Sequence, residues 1–221
     1  MQLIEAMQQR HSVRQYVEKS LEAGVKEALQ QEIEACNRES DLHIQLVTDE
    51  PKAFDSFMAH YGKFSGVTNY VVLVGRKSEK LDEICGYYGE RLALRAQQLG
   101  LNTCWVAMTY KKIPSAFQVK KGEKLAVVLA IGYGKTQGVA HRSKEATAVS
   151  NVDGKMPIWF RKGVEAALLA PTAMNQQKFF LSYREGKVSA KAGMGFYSKV
   201  DLGIVKYHFE IGAGKENFCW E

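Results

Sequence analysis

The sequence predicts an α+β protein that consists of one full half and one reduced half. Apolar runs of strand length alternate along the chain with segments whose apolar residues recur at helical spacing. A helix-length segment that ends in Cys-Trp occurs twice, at residues 89–105 and again at residues 203–220. Because self-similarity of this kind indicates related structural units, we place the two halves at residues 1–150 and 151–221.

In the first half, apolar periodicity and turn-forming residues predict the secondary structure. Ser20 is a candidate N-cap for the second helix, and Gly100 is a candidate C-cap for the central helix. Residues 69–75 form a β-branched run that we expect to be buried on both faces, at the centre of a sheet. The predicted elements are helix 2–9, helix 21–36, strand 41–48, helix 52–60, strand 69–75, a central helix ending near residue 99, an extended segment 103–108 and strand 125–131.

The second half follows a polar stretch, residues 146–155, that predicts a linker or exposed loop. Pro157 is tolerated in the first turn of a helix, and Pro171 would stop that helix. The predicted elements are helix 157–169, strand 178–183, strand 187–192 and a final helix 198–212. This order repeats the helix and strand of residues 21–48, but no counterpart of strand 125–131 follows.

Composition excludes several classes of protein. The chain has 221 residues, of which 46% are hydrophobic and 24% charged, as in ordinary globular proteins. The amphipathic N-terminus lacks the apolar core of a signal peptide, and no run approaches the roughly 20 apolar residues of a membrane span, so we expect a cytoplasmic protein without a membrane partner. Four cysteines without a CxxC pair, and five histidines without HxxxH or HExxH spacing, predict no metal site and no disulfide framework.

The formal net charge of +6 favours an anionic ligand. Two small basic clusters stand out, residues 10–14 and residues 141–144. Arginine forks and a serine hydroxyl within five residues suit a phosphate, although a solvated basic turn would have the same sequence. Basic residues are otherwise spread along the chain without a nucleic-acid motif, so we expect no nucleic-acid partner; a basic nucleic-acid binder remains the least favoured alternative.

Four segments together resemble the nitroreductase family of flavin enzymes. RHSVRQY resembles the family's RRSxRxF turn, GLNTCW its GLGTCW helix exit, IGYG its LGYP strand end and APTAMNQQKF its APSxxNxQPW turn. The resemblance implies a nitroreductase-like fold, with a central, mostly antiparallel sheet flanked by helices. In this family the APSxxN turn usually precedes the central helix, whereas here it lies after residue 169.

The displaced turn and the internal repeat together imply a fused pseudo-dimer. Members of the family are usually homodimers with FMN at the interface, and each FMN contacts the basic turn of one subunit and the APSxxN turn of the other. A chain that contains both halves would keep each element only once and would hold one flavin. We therefore expect a monomeric pseudo-dimer or a homodimer of such chains.

The resemblance also implies which residues bind FMN. The basic turn would bind the phosphate and ribityl chain, joined at the phosphate by the second basic cluster, and a positive charge would lie at the pyrimidine edge of the ring. Backbone after the central strand would donate to N5 or O4, and the displaced turn would face the ring from the other half. The phosphate and ribityl chain would contact Arg10, His11 and Ser12, and the second basic cluster would add Arg142 and Lys144 at the phosphate. The pyrimidine edge would lie beside Arg14 and Lys63. The backbone donors would be those of Ala107 and Met108, and the displaced turn would contribute Pro171, Thr172, Met174 and Asn175.

The activity that the resemblance implies is a ping-pong reduction. NADH or NADPH would reduce FMN, and a small-molecule electron acceptor, such as a nitroaromatic or a quinone, would reoxidise it. No catalytic side chain is expected, because flavin N5 carries the hydride. Cys104 and Cys219 are therefore interpreted as buried packing residues. The alternative is a flavin-binding redox sensor or storage protein without turnover.

Overall fold

The computed structural model describes all residues, 1–221, and contains seven α-helices and seven β-strands. The helices are α1 Leu3–Gln9, α2 Ala23–Ser40, α3 Phe57–Tyr61, α4 Leu81–Gln98, α5 Ala146–Val149, α6 Ile158–Ala167 and α7 Ser198–Ala213. The strands are β1 Gln45–Val47, β2 Asn69–Arg76, β3 Asn102–Val106, β4 Glu123–Gly132, β5 Phe179–Arg184, β6 Lys187–Ala192 and β7 Cys219–Trp220. Short 3-10 turns occupy Ala173–Asn175 and Lys215–Asn217. None of the seven helices has both the length and the apolar composition that a membrane span requires.

The strands form two sheets. The first has the order β1-β2-β4-β3, and all of its pairs are antiparallel. The second has the order β5-β6-β7, in which β5 and β6 are antiparallel while β7 runs parallel to β6. The α+β architecture expected from the sequence is confirmed, with a four-stranded antiparallel sheet in one part of the chain and a smaller sheet in the other.

The chain divides into two compact units. The four-stranded unit comprises residues 10–81 and 92–140, and the three-stranded unit comprises residues 1–9, 82–91 and 141–221. Each unit is therefore assembled from separate stretches of chain. The division expected from the repeat, into residues 1–150 and 151–221, is a functional one and differs from these compact units. It stays a prediction.

The sheet of the four-stranded unit is covered on both faces. Tyr70 and Val72 on β2 belong to a buried cluster with Phe54 and Phe64 from the segment around α3. On the other face, apolar residues of α2 and of the C-terminal part of α4 pack around Ile131 of β4. Strand β2 is consequently buried along its whole length up to its last residue, as its β-branched sequence predicts.

The three-stranded unit is built around the packing of α7. Phe160 of α6 and Phe209 of α7 belong to an aromatic cluster that reaches Trp220 at the end of the chain. On α7, Gly203 meets the first part of α4: a Cβ at Gly203 would overlap the carbonyl oxygen of Glu83. Helix α7 thus packs closely against the first part of α4, which a residue without a side chain allows.

Several details depart from the sequence predictions. Ser20 does not cap α2, because the helix begins at Ala23 behind Glu22, and the Ser20 hydroxyl instead donates to Asp49 Oδ1 at 2.6 Å. Gly100 does follow the end of α4 in a left-handed conformation, with φ of 79°. Cys104 is buried as expected, whereas Cys219 is exposed because it lies on the short terminal strand β7.

Other departures concern the bounds of elements. Helix α3 begins five residues later than the predicted helix 52–60, because Ser56 caps it through a hydrogen bond from the Ala59 N–H. The central helix α4 begins at Leu81, well before the repeated segment. The predicted linker contains the single-turn helix α5, and helix α6 begins at Ile158, so Pro157 is its N-cap residue.

Candidate functional site

The basic segment after α1 is held in an extended conformation beside β3. Ser12 forms a parallel bridge with Thr103 of β3, and the Val13 N–H donates to the Thr103 carbonyl at 3.0 Å. Two residues further on, the Arg14 carbonyl accepts a hydrogen bond from the Ser65 N–H at 3.0 Å. Residues 10–16 are therefore fixed by backbone hydrogen bonds on both sides within the four-stranded unit.

These bridges bring the side chains of the basic segment to one strand. Arg10 is buried, while Ser12 and Arg14 are exposed, and the Arg14 guanidinium carbon lies 5.9 Å from the centroid of the Phe64 ring. Burial raises the pKa of the Cys104 thiol on β3, and Arg14, Arg10 and a hydrogen bond with Ser12 act in the opposite direction. The positive charges of both arginines thus favour the thiolate form of Cys104, against the effect of burial.

His11 belongs to the same segment and is partly buried. Gly138 lies against it in a left-handed conformation, with φ of 70°, and a Cβ at Gly138 would come within 2.8 Å of His11 Cβ. The loop after β4 therefore packs directly on the basic segment, which restricts the position of the imidazole.

The remaining predicted residues of the four-stranded unit lie on two adjacent connections. Ala107 and Met108 directly follow β3, and the Met108 side chain is exposed. Lys63 follows α3 in a left-handed conformation, with φ of 62°. A Cβ at the neighbouring Gly62 would approach Thr109 Cβ within 2.7 Å, so the two connections touch.

In the three-stranded unit, the turn at residues 172–177 has unusual backbone geometry. Met174, Asn175 and Gln177 all have positive φ, at 51°, 52° and 44°. Left-handed conformations are costly for residues with a side chain, and three within four residues are maintained only where surrounding contacts impose them. The Met174 side chain is 77% exposed. Pro171 and Thr172 are partly buried, and the Thr172 hydroxyl accepts a hydrogen bond from the Gln177 N–H at 3.0 Å.

The second basic cluster holds this turn in place. The Arg142 carbonyl accepts from Asn175 Nδ2 and from Gln177 Nε2, each at 2.9 Å. The Lys144 ammonium donates to the carbonyls of Gln176 and Gln177, at 2.9 and 3.0 Å. Lys144 thus already satisfies part of its hydrogen-bonding capacity on the turn, while the Arg142 side chain is exposed.

One buried residue of this region was missed by the sequence predictions. The carboxylate of Asp201, on the first turn of α7, accepts from the Ala173 N–H at 2.9 Å and from Gln176 Nε2 at 2.8 Å. Burial raises the pKa of Asp201 to about 6, against these two hydrogen bonds. The only sequence signal for Asp201 was the occurrence of an acidic residue among the apolar positions of the last helix.

The structure therefore gathers the predicted residues into two groups. One group lies within the four-stranded unit, on the basic segment and the connections after α3 and β3; its members are Arg10, His11, Ser12, Arg14, Lys63, Ala107 and Met108. The other lies within the three-stranded unit, around the turn at residues 172–177; its members are Arg142, Lys144, Pro171, Thr172, Met174 and Asn175. No group of three or more His, Cys, Asp or Glu side chains could hold a metal ion.

Comparison with known proteins places the chain in a family. Residues 2–213 match the family model described as "Putative TM nitroreductase". No match was found among curated proteins. Because the family model spans nearly the whole chain, the protein belongs to this nitroreductase family and is a nitroreductase-family oxidoreductase.

Solved structures share the fold. A "putative nitroreductase" from Thermotoga maritima has a TM-score of 0.69 at 23% identity, over 98% of this chain and 85% of that one. A "putative nitroreductase in complex with FMN" from Desulfovibrio desulfuricans has a TM-score of 0.53 at 17% identity, over 71% of this chain and 99% of that one. A "Putative NADH dehydrogenase/NAD(P)H nitroreductase" from Parabacteroides distasonis has a TM-score of 0.53 at 20% identity, with the same coverage.

Proposed function

We propose that the protein is an FMN-dependent oxidoreductase that uses NADH or NADPH to reduce nitroaromatic or quinone-like acceptors by a ping-pong mechanism. The observation that carries the proposal is the placement of the basic segment: in a chain of the nitroreductase family, backbone hydrogen bonds fix this segment to Thr103 of β3 on one side and to Ser65 on the other. The FMN complex of the Desulfovibrio desulfuricans protein, which shares the fold, supports FMN as the cofactor.

The residues present fit a phosphorylated flavin. Ser12 offers an exposed hydroxyl and Arg14 an exposed guanidinium on the same fixed segment, and both groups suit anionic oxygen atoms. The hydroxyl of Thr103, the strand residue bridged to Ser12, is buried without a hydrogen-bond partner in the chain. Native proteins rarely leave such groups unsatisfied, so an unbonded hydroxyl beside the basic segment is consistent with a polar ligand.

The four-stranded unit would hold most of the cofactor's polar atoms. We assign Arg10, His11 and Ser12 to the phosphate and ribityl chain, because they lie on the fixed segment beside β3. Arg14 and Lys63 would lie at the pyrimidine edge of the ring, where a positive charge raises the reduction potential.

The backbone after β3 and the second group of residues would complete the contacts. The N–H groups at Ala107 and Met108 would donate to the ring. Arg142 and Lys144 would join the phosphate contacts, with Lys144 contributing only what its bonds to the turn leave available. These assignments follow the matched motifs, residue by residue.

The turn at residues 172–177 would face the isoalloxazine ring. Pro171, Thr172, Met174 and Asn175 lie on or beside a backbone that is fixed by hydrogen bonds, so the turn can present them without reorganisation when the ligand binds. When bound, FMN would supply the ring that accepts a hydride and passes electrons to the acceptor.

Spectroscopy of the purified protein tests this function. We expect a yellow protein, or a colourless one that takes up added FMN, whose absorbance near 450 nm is bleached by NADH or NADPH under nitrogen, roughly within seconds, and is restored by a quinone. A protein that binds FMN but reacts with neither nucleotide would instead be a flavin-binding sensor or storage protein. Failure to take up FMN would refute both.

We also propose that one chain is a pseudo-dimer and needs no second copy to bind its flavin. The two halves, residues 1–150 and 151–221, each contain a helix followed by a strand with a Cys-Trp pair: Cys104-Trp105 lies within β3, and Cys219-Trp220 forms β7. Native mass spectrometry of the FMN-loaded protein checks this: a monomer with one FMN is expected, and FMN bound only by dimers would contradict it. A cytoplasmic location remains a prediction.

A further inference from the structure

The turn at residues 172–177 is joined to the start of α7 by a buried carboxylate. Asp201 is 3% exposed, and its two oxygens accept from different parts of the turn: Oδ1 from the Ala173 backbone and Oδ2 from the Gln176 side chain. The two hydrogen bonds enclose the first two of the three left-handed residues, Met174 and Asn175. Movement of that segment would therefore break a bond to Asp201 at one end or the other.

Gln176 extends the connection to a second loop. Its Nε2 also donates to the Phe196 carbonyl at 2.6 Å, so one amide group bonds both Asp201 and the loop that precedes α7. Both partners are acceptors, which fixes the orientation of the Gln176 amide. A Cβ at Gly195 would overlap Gln176 Oε1, so this loop lies directly on the Gln176 side chain.

The carboxylate has no counter-ion. Its hydrogen-bond donors are neutral amides; the nearby Lys144 ammonium bonds the carbonyls of Gln176 and Gln177, and on α7 Lys206 pairs with Glu83 of α4. A carboxylate that is buried without a neighbouring cation lowers the stability of the folded state, because its charge loses hydration. The hydrogen bonds that Asp201 makes to the turn explain its presence better than a contribution to stability would.

We propose that Asp201 is a positioning residue, whose two carboxylate oxygens hold the 172–177 turn and the 193–197 loop in the conformation that presents Met174 and Asn175 to the flavin. The inference rests on the proposed FMN function. A carboxylate is required because both of its oxygens must accept. With asparagine at position 201, the side-chain NH2 group would face Gln176 Nε2, which is also a donor. Rotating the Gln176 amide by 180° would remove this conflict, but it would break the hydrogen bond to the Phe196 carbonyl.

Three variants test the proposal. Asp201→Asn removes the second acceptor, and Gln176→Met removes the donor with little change in shape. Glu210→Gln is the control, because Glu210 is another buried carboxylate on α7, but it accepts from Tyr87 and Trp220 and pairs with Lys215, away from the turn. We expect Asp201→Asn and Gln176→Met each to weaken FMN binding about tenfold, and Glu210→Gln to leave it within about twofold of the unchanged protein.

Hydrogen exchange of the flavin-free protein provides a second readout. Amide exchange in residues 172–177 is expected to be about tenfold faster in Asp201→Asn, and unchanged there in Glu210→Gln. Unchanged exchange and unchanged FMN affinity in Asp201→Asn would overturn the proposal, as would an equal loss in Glu210→Gln. If the unchanged protein binds no FMN, the proposed function fails, whereas the exchange data still show whether Asp201 holds the turn.

Discussion

The two groups of candidate residues differ in how the chain holds them. In the four-stranded unit, the basic segment is extended and is fixed by regular backbone hydrogen bonds to Thr103 and Ser65. In the three-stranded unit, the 172–177 turn has three left-handed residues and is held largely by side chains, among them Asp201 and Lys144. In the four-stranded unit, regular backbone pairing positions the charged side chains. In the three-stranded unit, side-chain hydrogen bonds maintain a turn whose backbone is otherwise unfavourable.

This difference has consequences for substitution. A charge on a fixed backbone can be removed without altering the path of the segment that carries it, so its loss should affect ligand binding more than the backbone. A turn held by side chains should respond to changes at residues that never touch the ligand. The predictions below separate these two kinds of dependence.

The largest effect is expected from Gly203→Ala in the three-stranded unit. The added Cβ would overlap the Glu83 carbonyl oxygen and lie 2.6 Å from the Tyr87 nitrogen, so α7 and the first part of α4 would have to separate. We expect the free energy of unfolding to fall by about 3 kcal/mol, at the upper end of overpacking costs. The measurement is the urea midpoint of the flavin-free protein.

Gly24→Ala is the matched control in the four-stranded unit. Gly24 lies on α2 with nothing within 4 Å of an added Cβ, so alanine should raise the free energy of unfolding by up to about 1 kcal/mol through its helix propensity. Equal midpoints for the two variants would show that the close contact at Gly203 does not constrain the helices.

The next effect concerns the charges of the basic segment. Arg10→Ala should weaken FMN binding by about 10- to 100-fold, the value of one or two charge-assisted hydrogen bonds. Arg38→Ala removes an equal charge from the exposed C-terminal turn of α2 and should change FMN affinity less than about twofold. FMN titration followed by fluorescence quenching measures both.

Because Arg10 is buried, the folding of its variant must be measured as well. The thermal midpoint of flavin-free Arg10→Ala separates a lost ligand contact from a damaged fold, and Arg10→Lys should recover part of the affinity by restoring charge. Equal FMN affinities in the Arg10 and Arg38 variants would contradict the assignment of the phosphate to the basic segment.

Much of the fold was predictable, because local patterns determine it. The apolar runs at β2 and β4 and the periodicity of α2 and α7 lie within continuous segments, so the sequence shows them directly. The basic segment was also visible, because its residues are consecutive.

What the sequence did not show depends on contacts between distant residues. Asp201 reaches a turn about 25 residues earlier, and only the fold brings the two together. Ser20 bonds Asp49 rather than its own helix for the same reason. Left-handed backbone at Met174 could not be predicted, since glycine is the usual sequence signal for positive φ.

A smaller effect is expected from pH, through Asp201. Its pKa is raised in the folded protein from 3.8 to about 6, so the folded state binds this proton more tightly than the unfolded state. Protonation of Asp201 therefore adds to the free energy of unfolding. This contribution is fully present below about pH 4 and is lost as pH rises through 6. Lowering the pH from 7 to 5 should therefore add about 1 kcal/mol to the free energy of unfolding through this residue alone.

FMN affinity should change in the opposite direction over the same range. Protonation converts one carboxylate oxygen from an acceptor to a donor, which opposes the Gln176 bond and loosens the turn. The measurements are urea denaturation and FMN titration between pH 5 and 7, each compared with Asp201→Asn. Both Asp201-dependent differences should be absent in that variant; identical pH profiles in the two proteins would disprove the role of this carboxyl group.

The smallest effect tests backbone strain in both units with matched substitutions. Met174 and Lys63 are exposed residues with left-handed backbone, one in each unit. Glycine at either position relieves a strain of about 1 kcal/mol but adds freedom to the unfolded chain, so each variant should gain about 0.5 kcal/mol in the free energy of unfolding. Met174→Val, with a branched Cβ, should instead lose about 1 kcal/mol in the free energy of unfolding.

The two glycine variants should differ in FMN affinity, because Lys63→Gly also removes a positive charge and Met174→Gly removes none. A loss of stability in Met174→Gly would mean that its exposed side chain, and not its backbone, stabilises the turn.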